Sequence, residues 1–156
     1  MPDGLYERDA LAWSDQQADL LRRIAAGERL NADVDWANVI EEVQDVGLSG
    51  LRAVRSLLRQ AMMHLLKLHA WPNSSSAAHW RIEVGAFLVD AEDAFAPSMR
   101  QRVSLDETYT RALYLIRPMS DDSGPPRAFP AVCPYTLDDL VTACPDIALL
   151  LAKLEV

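Results

Sequence analysis

A chain of 156 residues, half of them apolar and 24% charged, has the size and material of one ordinary globular domain and excludes a disordered polymer. Its net charge of −8 disfavours broad binding to nucleic acid or anionic lipid. No apolar run has the length that spans a bilayer, and Asp3, Glu7, Arg8 and Asp9 break any signal-peptide pattern, so the expected location is the cytoplasm.

The first predicted helix covers 5–26. Ala10, Trp13, Gln17, Leu20, Leu21 and Ile24 recur at three- and four-residue spacing, and Gly27 is a natural stop because glycine takes the left-handed C-cap without a steric penalty. Residues 28–35 form a link, with Asp35 placed to cap the next helix. Trp36, Ile40, Val43 and Gly47 share one stripe, and Val54, Leu57, Leu58, Ala61, Met62, Leu65 and Leu68 continue an apolar face. Gly47-Leu48-Ser49-Gly50 permits a kink, but the pattern favours one long segment that Pro72 ends.

Asn73-Ser74-Ser75-Ser76 is a loop. A helix over 77–96 follows, with Trp80, Val84, Phe87, Leu88, Ala91 and Phe95 inward, and Pro97-Ser98 interrupts it. Ser104 and Glu107 have the spacing of a capping box, which starts a helix to 117 that turns Leu105, Tyr109, Ala112, Leu113 and Ile116 inward. Residues 118–135 hold proline after proline and read as an extended loop. Thr136 caps a short helix near 137–143, and Pro145 suits the first position of a terminal helix. No alternating strand pattern appears. The expected fold is all-α: a bundle of about five to seven helices around one long central helical segment, in a single domain over 1–156.

A set of landmarks runs through these elements: Tyr6, Asp9, Trp13, Gln17, Leu20-Leu21-Arg22, Asp35-Trp36-Ala37-Asn38, Glu41-Glu42 and Gly47. It continues with His64-Leu65-Leu66-Lys67, Trp80-Arg81, Pro97-Ser98, Tyr109, Phe129-Pro130 and Cys133-Pro134-Tyr135. The string resembles a bacterial family, the domain of unknown function 29. The resemblance implies an all-α fold and carries no assigned activity, substrate or catalytic residue. After Trp80-Arg81 the family usually continues with Thr-Ile and Gln-Arg pairs, whereas this chain has the more apolar Ile82-Glu83-Val84-Gly85-Ala86-Phe87. The end after Tyr135 departs as well.

Four groups of residues could carry chemistry. Asp35, Asn38, Glu42 and Asp45 share a helical face beside Glu41, and carboxylates at such spacing can hold Mg²⁺ or Mn²⁺ through oxygen. Glu41-Glu42-Val43-Gln44-Asp45 is similar to the Glu-Glu-x-x-Glu of all-α nucleotide pyrophosphohydrolases, with Asp90 and Asp93 as the second acidic pair and His64 as a further ligand. The plainer alternative is a solvated face whose early acids favour the helix N-terminus. His64, His69 and His79 match neither the Glu-x-x-His of di-iron bundles nor a zinc motif, so His64 fits a hydrogen-bonded core position better.

Residues 46–82 hold five bases and no acid. Within them Arg52, Arg55 and Arg59 share a helical face and could grip an anion, and Lys67 and Arg81 extend the basic zone. Pairing with acids of a neighbouring helix is the plainer alternative, and the absence of an aromatic ladder disfavours a nucleic-acid groove. Cys133 and Cys144 each precede a proline, form no metal-type pair and read as free thiols.

There is no phosphate loop, nucleophile elbow or dinucleotide fingerprint. The favoured function is therefore a non-enzymatic helical module that binds another protein or itself, with no cofactor and no catalytic residue assigned. Its physical motive is the width of the apolar stripe on the long helix, where Val39 and Ile40, Leu57 and Leu58, and Leu65 and Leu66 are adjacent. The alternative is a divalent-metal nucleotide phosphohydrolase that uses the acidic face.

Overall fold

The computed structural model describes residues 4–156, with Ala10 and Leu11 as backbone only. Asp3 and the inward placement of the Ala10 side chain lie outside the described residues. Seven α-helices and two 3-10 turns make up the regular structure described. Among the described residues the sole β feature is an isolated bridge between Asp121 and Gly124. The chain falls into two compact units, Met1–Leu48 and Ser49–Val156.

In the first unit, the helix expected over 5–26 is two helices, α1 (Leu5–Arg8) and α2 (Ala10–Ala25). The break is at Asp9, whose extended backbone lets its carboxylate accept the Ala12 N–H and cap α2. At the far end Gly27 takes φ 99°. There Glu28 N–H reaches the Arg23 carbonyl and Gly27 N–H reaches that of Ile24, which gives the last carbonyls of α2 donors beyond the helix end. A 3-10 turn over Asn31–Asp33 leads into α3 (Trp36–Ala70).

Helix α3 runs 35 residues without a break at Gly47 or Gly50, about 52 Å at 1.5 Å per residue. From Leu51 onward its apolar face lies in the second unit, where Val54, Leu58, Ala61, Met62 and Leu65 are fully buried. Against them sit Trp80, Val84, Leu88 and Ala91 of α4 (Ala77–Ala94) and Tyr109, Ala112, Leu113 and Ile116 of α5 (Leu105–Ile116). These are the positions that the 3.6-residue period selects, and their burial is the main driving force for this unit.

Capping differs from expectation at two helices. Ser104 Oγ accepts the Glu107 N–H, but the Glu107 carboxylate turns outward to Arg111, 3.0 Å away, so only half of the expected box forms. A complete reciprocal box closes instead on α6 (Leu137–Leu140), between Thr136 and Asp139. The last helix, α7 (Ile147–Ala152), is capped by Asp146, so Pro145 stands before the cap rather than at the first helical position. The aspartate side chain accepts the Leu149 N–H, a role that proline cannot fill.

The proline-rich stretch between α5 and α6 is extended, and rings fasten it to the helices. Trp71 Nε1 donates to the Gly124 carbonyl at 2.9 Å, and the Tyr109 hydroxyl donates to that of Pro130 at 2.7 Å. His69 Nε2 meets the Ala128 carbonyl at 2.7 Å, and the Tyr135 hydroxyl reaches back to Leu150 O at 2.9 Å. Irregular backbone leaves most of its carbonyls without ladder partners, so buried Trp71, Tyr109 and His69 supply donors in place of a ladder.

Candidate interaction face

The first half of α3 reverses the usual arrangement of an amphipathic helix. Trp36, Ile40 and Val43 fall on one side, and Val46 flanks them; their exposures are 43%, 57%, 69% and 76%. The stripe that the sequence placed with the apolar face is therefore open. The opposite, polar side is the one that other elements of the first unit cover. Tyr6 OH donates to Glu42 Oε1 at 2.7 Å, and Trp13 Nε1 donates to Asp35 Oδ2 at 3.2 Å. Gln17 Oε1 accepts the Asp35 N–H at 2.8 Å, and Asn38 Nδ2 donates to Asp35 Oδ2 at 2.7 Å. Trp13 and Gln17 are buried, and the Tyr6 and Trp13 rings meet edge to face at 4.9 Å.

This clasp accounts for its own electrostatics. The Asn38 side-chain amide, then the Trp13 indole and the Asn38 backbone N–H, hold the Asp35 carboxyl below its ordinary range against the opposing effect of burial. Asp35 thereby anchors α2 to the start of α3. The Glu42 hydrogen bond, then burial and the Glu42 charge, push the Tyr6 hydroxyl up to about 12.

Glu41, Asp90 and Asp93 are exposed and Asp45 is half-exposed. Among the described residues no three His, Cys, Asp or Glu side chains form a group able to hold a metal ion. His64 Nδ1 meets the carbonyl of Gln60, one turn back on its own helix, at 2.9 Å, and its ring faces Phe87. Burial lowers its pKa from the ordinary histidine value.

The arginine stripe splits. Arg55 and Arg59 line a cleft of about 110 Å³ with Ser104, Glu107, Thr108 and Arg111 of the α5 N-terminal turns, and Arg52 is exposed outside its lining. Arg55 Nη2 donates to the Arg102 carbonyl at 2.6 Å and Arg111 pairs with Glu107. The Arg59 side chain, half-buried, makes no hydrogen bond or ion pair to a described residue. Sequence reasoning missed Arg111, since nothing in a linear pattern brings α5 to α3.

The chain matches the family described as Domain of unknown function DUF29 over residues 5–144. It belongs to that family. A crystal structure of an alpha-helical protein of unknown function from Rhodospirillum rubrum is similar to it, with 27% identity, 96% of each chain covered and a TM-score of 0.68. A comparison with curated proteins finds no match.

Several DUF29 landmarks of this chain now have positions in the fold. Tyr6, Trp13, Gln17, Asp35, Asn38 and Glu42 build the clasp. Lys67 lies over the Trp80 ring at 5.6 Å, and Tyr109 and Tyr135 secure the proline-rich stretch. Cys133 is half-buried and its thiol is pushed up chiefly by burial, which opposes a reactive thiolate; Cys144 is exposed and both thiols are free. Tyr6, Trp13, Gln17, Asp35, Asn38, Glu42, Tyr109 and Tyr135 of this DUF29 chain thus act as hydrogen-bonding anchors.

Proposed function

We propose that this protein is a non-enzymatic helical module that associates with another protein, or with a second copy of itself, through the outward stripe of α3. The observation that carries this reading is the exposed row Trp36, Ile40, Val43 and Val46 on a helix whose polar side is already occupied. Large apolar side chains aligned at helical spacing form a ridge that can bury against a groove on a partner. Isolated surface apolar residues are ordinary, but a contiguous row on one helix is what protein contacts use. No helix among the described residues is long and apolar enough to cross a membrane, so this row is read as a protein contact and not as part of a span.

The test is sedimentation and cross-linking of the wild type beside Ile40→Glu and Val43→Glu. Both positions are exposed, so folding measured by circular dichroism should be retained. A concentration-dependent assembly or cross-linked complex that both variants abolish supports the reading. A strictly monomeric wild type with the same cross-linking pattern as the variants overturns it.

A further inference from the structure

Three of the 15 Lys and Arg residues of this acidic chain line one recess of the second unit. Arg55 and Arg59, one turn apart on α3, and Arg111 on α5 bring three guanidinium groups to the same cleft, with Glu107 as the one acid in its lining. Glu107 is held by Arg111 at 3.0 Å, and both are largely exposed, a pairing that water weakens and a stronger anion can displace. Arg55 spends one N–H on the Arg102 carbonyl and keeps the rest of its fork. The Arg59 side chain has no described partner although it is partly buried. Like charges gathered in a recess repel one another unless a counter-ion sits between them.

We propose that this cleft is an oxyanion site that takes a single phosphate group, with Arg59 as its principal donor and Arg55 and Arg111 as flanking ones. Planar guanidinium forks match the tetrahedral oxygens of phosphate two at a time, which a scattered surface charge does not. The Ser104 hydroxyl, whose oxygen caps α5, still has its hydrogen to donate, whereas Thr108 Oγ1 already donates to the Ser104 carbonyl at 2.8 Å. The volume of about 110 Å³ limits the ligand. It lies well below the roughly 300 Å³ at which pockets for whole drug-sized molecules begin. The recess therefore holds a phosphate group, either as free inorganic phosphate or as the terminal group of a small phosphomonoester whose remainder stays in solvent.

Isothermal titration calorimetry with inorganic phosphate and, separately, O-phosphoserine, each at ionic strength matched with sodium chloride, tests the site. Saturable heat above the chloride control is expected with at least one of them, and the comparison between them identifies free or esterified phosphate as the better ligand. Arg59→Gln should weaken binding by about tenfold or more, the loss of a charge-assisted hydrogen bond, while Arg52→Gln, outside the cleft, should stay within about twofold. Arg111→Gln, at an exposed position, supplies a second variant if Arg59→Gln folds poorly by circular dichroism. No saturable binding of either anion overturns the proposal. Equal weakening by Arg52→Gln and by the cleft variants also overturns it, because that pattern marks a diffuse positive field.

Discussion

The hydroxyl of Tyr6 donates to the carboxylate of Glu42, 36 residues along the chain, at 2.7 Å. This bond ties α1 to the polar side of α3, and it has a titration signature. The Glu42 acceptor, burial and the nearby acids raise the Tyr6 pKa from 10.0 to about 12. A tyrosine whose folded pKa is raised favours its protonated form. Its contribution to stability is thus complete below pH 10 and is lost as the pH climbs from 10 to about 12. Tyr109 also titrates near 12, chiefly through burial, so variants must separate the two. Ultraviolet titration at the tyrosinate band should show one late-ionising group fewer in Tyr6→Phe. In Glu42→Gln the Tyr6 transition should move back towards 10. An unchanged alkaline limb in both variants would break the assignment.

His64 should make the second unit sensitive to mild acid. Burial lowers its pKa from 6.5, and the remaining contacts do not reverse this. The folded state therefore favours the neutral ring. Its stabilising share is present above pH 6.5 and fades as the pH falls from there through the lower folded value. Urea unfolding at pH 7.5 and at pH 5.0 should give a smaller loss of stability for His64→Asn than for the wild type. An equal loss in both proteins would assign the acid sensitivity to other groups.

Trp71→Phe should cost about 2–3 kcal/mol, combining the cavity left by the smaller ring with an unpaired Gly124 carbonyl. Trp71 is only 2% exposed, and its indole N–H is the donor to that carbonyl. Denaturant unfolding monitored by circular dichroism measures the cost. A change below about 0.5 kcal/mol, the range of ordinary surface substitutions, would mean that the ring does not hold the proline-rich stretch.

The two thiols should react at separable rates. Cys133 is half-buried, its thiol is pushed up by burial, and Sγ lies 3.8 Å from the Tyr135 carbonyl, whereas Cys144 is exposed. Iodoacetamide labelling of the native protein at pH 8, followed by peptide mass analysis, should modify Cys144 first. Urea should bring the two rates together. Equal rates in the native protein would contradict the burial of Cys133.

Much of the fold was legible because burial in a helix bundle leaves a period in the chain. Leu58, Met62, Leu65, Val84, Leu88, Tyr109 and Leu113 all stand where three- and four-residue spacing placed them. Local capping chemistry was less legible. Ser104 and Glu107 had the spacing of a reciprocal box, yet Arg111, one turn beyond Glu107, captured the carboxylate. At Asp9 a strong N-cap residue cut in two what looked like a single helix. Helix caps and exposed i,i+4 pairs are each worth only about 1 kcal/mol or less, so a small local preference decides between them.

For this DUF29 protein, residue order alone determined an all-α architecture, the length of its central helix and the greater part of the core in the second unit. It also marked Trp36, Ile40 and Val43 as one stripe, and Arg52, Arg55 and Arg59 as another. Tertiary structure decided which side of each stripe is covered. Tyr6, Trp13 and Gln17 hydrogen-bond to the acidic side of α3 and leave the apolar side open, and α5 brings Arg111 to Arg55 and Arg59 while Arg52 stays outside. Periodicity records that a helix has two faces; the hydrogen-bond partners that other segments supply determine which face is turned inward.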